Sequence, residues 1–187
     1  MGLDQYAYKA HRQNADENHI NDDLVTLSDT TQAVINNDSW YGRKINVIQN
    51  YMEKTTNIDN CEYVYITEEM LSELEDALHI VDKAINSNPD IHALISKYAT
   101  IPKEGVTHIN TEYSFDLDFS EDDSEAFGEF MSTITPDALK PIGGFFYGPF
   151  DIGSGYYLYQ LTEVRRFIDT VRPWLTDDTF AVYMCWY

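Results

Sequence analysis

The sequence predicts a single α+β domain, with a mixed or antiparallel sheet whose strands come from both chain ends and amphipathic helices packed against it. Three observations lead there. Short runs of alternating aromatic and other residues lie near both ends, LDQYAYK and TFAVYMCWY. Between them, several segments repeat apolar residues at helical spacing. A chain of 187 residues, 43% hydrophobic and 14% aromatic, can build one sizeable core, and no internal repeat or flexible linker divides it. The domain is expected to run over residues 1–187, with a long polar loop at about 11–37 and an acidic strand-helix insertion at about 112–134.

LDQYAYK reads as a short strand, and the Asn- and Asp-rich stretch from His11 to Asn37 as loop. Asp38 or Ser39 stands where an N-cap would open a helix through WYGRKINVIQNYMEK, in which Tyr41, Ile45, Ile48 and Met52 recur at helical spacing. CEYVYIT alternates as a strand does. Thr67 is placed to cap EEMLSELEDALHIVDKAIN, whose stripe is Leu71, Leu74, Leu78, Val81 and Ile85. Pro89 opens the shorter helix PDIHALISKYA, closed by Ile101-Pro102. Tyr113, Phe115, Leu117 and Phe119 alternate with polar residues as a half-buried strand, and Ser120 then caps a helix burying Phe127, Phe130, Met131 and Ile134. A last helix in LYQLTEVRRFIDTVRPWL aligns Leu161, Val164, Ile168, Val171 and Leu175, with Pro173 limiting its length. TFAVYMCWY reads as a buried strand.

Composition excludes several classes. No run approaches the roughly 18 uncharged apolar residues of a membrane span, and the start MGLDQYAYKA lacks a secretory signal. Tyr6 stands where a myristoylation motif needs Ser or Thr. A soluble cytoplasmic protein is expected. Cys61 and Cys185 both lie in β-like runs and read as buried free thiols. The formal charge of -20, from 32 acids and 12 bases, repels nucleic acid and anionic membranes, so the expected partner is a basic protein.

The chemistry-bearing patterns are few. DLDFSEDDSEAF superficially offers Asp116, Asp118, Ser120 and Asp122 at alternate positions, but an EF-hand needs Gly where Glu121 stands and Glu where Phe127 stands. The five histidines show no metal-binding spacing, and His79 falls on the outer side of its helix. No metal, cofactor or catalytic residue is therefore expected. Gly143 and Gly144, in a glycine-rich stretch ahead of a helix bearing Arg165 and Arg166, could join Arg43, Lys44 and Arg172 in holding a nucleotide or phosphorylated small molecule, although neither phosphate-loop pattern is present.

The acids come in blocks. Eight lie between Lys54 and Lys83 with no base among them, and eight more between Glu112 and Phe130. Carboxylates three or four residues apart on a helix approximate a row of phosphates, which makes Glu68, Glu69, Glu73, Glu75, Asp76, Asp82, Asp116, Asp118, Glu121, Asp122, Asp123 and Glu125 the candidate partner-binding surface.

Four motifs carry a resemblance that spans both ends of the chain: Gly2-Leu3-Asp4-Gln5-Tyr6, Trp40-Tyr41-Gly42-Arg43-Lys44, Gly144-Phe145-Phe146-Tyr147-Gly148, and Phe180 to Tyr187. The chain resembles a group of small bacteriophage and prophage proteins that begin with a GLDMY-like motif and continue with a GYWRKAN-like helix. Those proteins then carry a GFFFG motif and close on an aromatic strand. Gln5 stands where that motif has methionine, and Trp-Tyr-Gly replaces Gly-Tyr-Trp. The resemblance implies a phage accessory protein in the cytoplasm of the infected bacterial host. Joined to the acidic blocks, it leads to the expectation of a nucleic-acid mimic that binds and inhibits a host nucleic-acid-binding or defence protein. A nucleotide binder and a structural or assembly protein are the alternatives.

Overall fold

The structure is a computed structural model that describes residues 2–11, 39–100, 114–115, 119–147 and 151–187. A four-stranded antiparallel sheet runs in the order β2-β1-β6-β3, from β1 (Asp4–His11), β2 (Ser39–Arg43), β3 (Tyr63–Ile66) and β6 (Thr179–Trp186). The two central strands come from opposite ends of the sequence, with Asp4 opposite Trp186 and His11 opposite Thr179. The α+β class and the strands from both chain ends are as the sequence implies. A separate two-stranded pair joins β4 (Ala99–Thr100) to β5 (Ser114–Phe115).

Five helices are described. They are α1 (Asn46–Thr56), α2 (Glu68–Ser87), α3 (Pro89–Tyr98), α4 (Glu121–Ile134) and α5 (Gly155–Val171), with short 3-10 turns at Asp137–Leu139 and Arg172–Trp174. They gather on one side of the sheet. Ala7, Val64, Ile66, Ala181, Tyr183 and Cys185 point into the main core, where they meet helical residues such as Ile48, Leu71, Leu74 and Phe167. Alternation along each strand sends the remaining side chains to the other side, where Ala10, Phe180 and Val182 form a second small cluster with Tyr8, Tyr63 and Tyr65 over it.

The expected helix through WYGRKINVIQNYMEK is corrected. Ser39–Arg43 is a strand, Lys44 turns with φ 56°, and the helix begins only at Asn46. Trp40 is buried and Tyr41 exposed, as strand alternation requires, and Trp40 packs edge-on against Phe167 with ring centroids 5.0 Å apart. Gly42 permits this, because a Cβ there would collide with the Trp40 ring and approach Ile45 Cγ1 to 3.0 Å. Ser39 lies in β2 and caps no helix, and Asp38 lies outside the described residues.

Elsewhere local sequence and structure agree. Thr67 caps α2 by accepting from Met70 N at 3.3 Å, and Ser120 caps α4 by accepting from Asp123 N at 3.3 Å. Pro89 opens α3, and α5 stops at Val171, before the turn that contains Pro173. Leu175, placed on the α5 stripe by spacing, lies beyond the helix. The polar stretch at 12–37, the Ile101-Pro102 break, and Tyr113 and Leu117 of the predicted strand lie outside the described residues. Cys61 is exposed rather than buried, because it sits in the turn before β3 at φ 64°, whereas Cys185 faces the core. No described helix is long and apolar enough to cross a membrane.

Candidate acidic interface

The two acidic helices are charged in different ways. On α2, the apolar stripe holds Leu71, Leu74, Leu78, Val81 and Ile85 against the core, so acids on its two flanks fall within reach of neighbouring helices. Arg172, just past α5, places Nε 3.0 Å from Glu68 Oε1 and Nη1 3.0 Å from Glu75 Oε2. Arg165 of α5 reaches Asp82 at 2.7 Å, with both side chains about four-fifths covered (21% and 16% exposed). On the opposite flank the Tyr51 hydroxyl of α1 donates to Glu73 Oε2 at 2.8 Å. Only Glu69 and Asp76 remain on the outward ridge without an ion-pair or hydrogen-bond partner among the described residues. Four of the six expected α2 contact residues therefore fasten helices together.

On α4 the pattern reverses. Asp123 alone turns toward the protein, accepting from Lys97 Nζ at 2.6 Å, the Tyr98 hydroxyl at 2.7 Å and the Ser120 hydroxyl at 2.8 Å. Lys97, then Tyr98 and Ser120, hold its carboxyl down at about 2. Glu121, Asp122 and Glu125 are exposed. So is Glu129, four residues beyond Glu125. At 3.6 residues per turn these four lie within roughly 100° of arc, opposite the buried Phe127 and Met131. No cation lies within ion-pair distance of them among the described residues. Acids in the first turn are also favoured by the helix dipole, so the ridge costs α4 little. Helix α4 packs against α2 and α3, which puts Glu69 and Asp76 on an adjoining helix. Asp116 and Asp118 lie outside the described residues.

Of the four arginines expected to hold phosphate, Arg165, Arg166 and Arg172 are engaged within the chain, while Arg43 is exposed. Besides Arg165 and Arg172, Arg166 donates Nε to Glu163 at 2.9 Å and Nη2 to the Tyr41 carbonyl at 2.8 Å, and it lies over the Trp40 ring. Arg43 faces Asp4 across β1 and β2 at 3.9 Å. Gly143 and Gly144 belong to the approach to a turn whose Phe146 carbonyl accepts from Leu3 N at 3.1 Å, while Lys44 N donates to the Leu3 carbonyl at 3.0 Å. The glycine turn and Arg43-Lys44 thus share one end of the molecule, beside a cavity of about 140 Å³ lined by Gly2, Asp4, Arg43, Trp186 and Tyr187. Arg165 and Arg172 are held on α2 instead. A larger cleft of about 370 Å³, lined by Tyr65, Ile66, Thr67, Glu68, Leu175, Thr176 and Phe180, contains no cationic side chain.

Among the described residues no three His, Cys, Asp or Glu side chains converge as metal ligands would. His79 is exposed, as its helix position implies. Glu129 escaped sequence reasoning although its i, i+4 relation to Glu125 was a usable signal. Comparison of the chain with family models, with curated proteins and with solved structures gives no match.

Proposed function

We propose that this chain is a phage-encoded accessory protein that binds and inhibits a basic host protein, presenting carboxylates where that protein's groove expects phosphates. The observation that carries the reading is the α4 ridge: Glu121, Asp122, Glu125 and Glu129 exposed together, with no cation paired to them among the described residues. A four-residue step along a helix advances about 6 Å, close to the roughly 6.8 Å of two phosphate steps along one DNA strand. Glu69 and Asp76 extend the same charge onto α2. Glu68, Glu73, Glu75 and Asp82 act through the fold, since their partners are internal. The engagement of Arg165, Arg166 and Arg172 within the chain weighs against a phosphorylated ligand at those residues.

The test is affinity capture from bacterial extract over a salt series, with duplex DNA as competitor, using the wild type and an E121Q/D122N/E125Q/E129Q variant. The expected result is capture of a nucleic-acid-binding protein at low salt, displaced by DNA and lost with the variant, whose circular dichroism remains that of the wild type. Capture that survives the four substitutions and is insensitive to salt would refute the reading, because screening over about 8 Å at physiological ionic strength must weaken contacts between exposed charges.

A further inference from the structure

One end of the sheet carries charged groups that the core does not use. Arg43 of β2 and Trp186 of β6 both stand opposite Asp4 of β1 in the strand register, on the side away from the helices. With neighbouring strands about 4.8 Å apart, a guanidinium and an indole thus flank one carboxylate from positions about 10 Å from each other. Together with Gly2 and Tyr187, these three residues line the cavity of about 140 Å³. At Gly2 a Cβ would lie 3.0 Å from Lys44 Cε and 3.8 Å from Lys44 Nζ, so the missing side chain leaves room for a second cation beside the same wall.

The walls are fixed by the fold. Leu3, next to Gly2, donates to the Phe146 carbonyl at 3.1 Å and accepts from Lys44 N at 3.0 Å. Tyr187 donates its N–H to Asn60 Oδ1 at 2.9 Å, and its ring meets those of Phe146 and Tyr147 at 5.4 and 5.6 Å. The charged groups are held less tightly. Asp4 Oδ1 accepts from the Tyr41 hydroxyl at 2.6 Å, whereas Asp4 Oδ2 has no partner among the described residues. Arg43 approaches Asp4 only to 3.9 Å and keeps 67% of its side chain exposed, and Lys44 makes no ion pair among the described residues.

Charge and size decide what fits. A carboxylate with a free oxygen, two cations and an aromatic wall side by side match a molecule that carries a positive and a negative group on one carbon with an apolar body beyond them. We infer that the cavity is a binding site for a free α-amino acid with an apolar or aromatic side chain. Its α-ammonium donates to Asp4 Oδ2, its carboxylate accepts from the Arg43 guanidinium and Lys44, and its side chain lies against Trp186 and Tyr187. A zwitterion bears no net charge, so the chain's charge of -20 does not repel it as it repels a nucleotide's phosphate. A cavity of about 150 Å³ admits a single benzene ring, so this one has room for one ring or a short branched chain but not for a base, sugar and phosphate together. The site shares no residue with the α4 ridge, so it stands or falls separately from the proposed function.

Titration of the isotope-labelled full chain with L-phenylalanine, followed by NMR, tests this. Saturable shifts in the millimolar range are expected, centred on Gly2, Asp4, Arg43, Tyr187 and the Trp186 indole N–H. Phenylacetate, which lacks the ammonium, and phenethylamine, which lacks the carboxylate, are each expected to bind about tenfold more weakly or worse. D4N and R43Q are each expected to weaken L-phenylalanine binding about tenfold while their circular dichroism remains that of the wild type. No saturable shift at the solubility limit of the amino acid overturns the inference, as does undiminished binding by both variants. Phenylacetate bound as tightly as phenylalanine overturns it too, by reducing the cavity to a plain anion site, and so does tighter binding of adenosine monophosphate, the phosphate-bearing probe.

Discussion

Gln5 and Tyr183, 178 positions apart in sequence, meet inside the core, where Gln5 Nε2 donates to the Tyr183 hydroxyl at 2.7 Å. Both are fully buried. The Tyr183 hydroxyl in turn donates to Gln49 Oε1 at 2.7 Å, and Gln49 Nε2 donates to Glu53 Oε1, which also accepts from the Tyr147 hydroxyl at 3.0 Å. This chain of donors and acceptors leads from the start of β1 to Glu53 of α1.

Gln5 also bonds both backbone groups of Ile45, accepting from its N–H at 2.8 Å and donating to its carbonyl at 3.2 Å. Gln5→Met strands the buried Ile45 N–H, whereas the Ile45 carbonyl keeps the Gln49 N–H at 3.1 Å and the Tyr183 hydroxyl keeps Gln49 Oε1. It is expected to lower stability by about 1–3 kcal/mol in urea unfolding. A loss below about 0.5 kcal/mol, inside the ordinary range for surface substitutions, would mean that the site repacks without the network.

The Arg165-Asp82 pair is the best-covered charge contact between α2 and α5. Arg165→Met leaves Asp82 partly buried without its cation and is expected to cost about 2 kcal/mol, less than a fully buried pair because both groups keep some solvent. In a double-mutant cycle with Asp82→Asn, a coupling of about 1 kcal/mol is expected. Zero coupling would reduce the contact to a surface pair.

High pH should unfold the protein cooperatively. Burial, then the neighbouring Tyr63 and Tyr6, push the Tyr8 hydroxyl up to about 12 from 10.0, and burial also raises Tyr157 and Tyr183. A raised folded-state value means that the neutral phenol is the stabilised form. The contribution from Tyr8 is complete below pH 10, where the unfolded chain holds its proton, and is lost as pH climbs through about 12. Tyrosinate absorbance is therefore expected to rise in step with loss of helical circular dichroism. Full ionisation of the tyrosines while the helices remain intact would contradict this.

The two thiols should separate kinetically. Cys61 is exposed, while Cys185 is buried and held up at about 11, chiefly by burial. Reaction with a thiol reagent near neutral pH is expected to label Cys61 alone in the native protein and both cysteines in denaturant. Equal native rates would require the end of β6 to open readily.

Sequence reasoning reads elements well where one segment carries all the information. The α2 stripe and its Thr67 cap are such a case, as are the acids after Ser120. It misreads β2, because Tyr41, Ile45, Ile48 and Met52 happen to keep helical spacing across a strand, a left-handed turn at Lys44 and the true helix. The site was half legible. That α2 and α4 are acidic is evident from composition, but which acids stay outward depends on Arg165 and Arg172, more than 80 positions from their partners. The sheet's outer side was hidden for a related reason: in YVYI and QYAY both sides of the strand carry apolar or aromatic groups, and only the placement of the helices tells them apart.

The pairing of β1 with β6 sets a schedule for the growing chain. A polypeptide lengthens by about 5–20 residues per second during synthesis, so β1 waits on the order of 10–35 s for the strand that completes the sheet. During that interval β1 and β3 have no β6 between them, and their tyrosines and open edges are exposed to other nascent chains. The heavy negative charge, whose acidic side chains all precede residue 179, keeps such half-made molecules apart until residues 179–186 arrive.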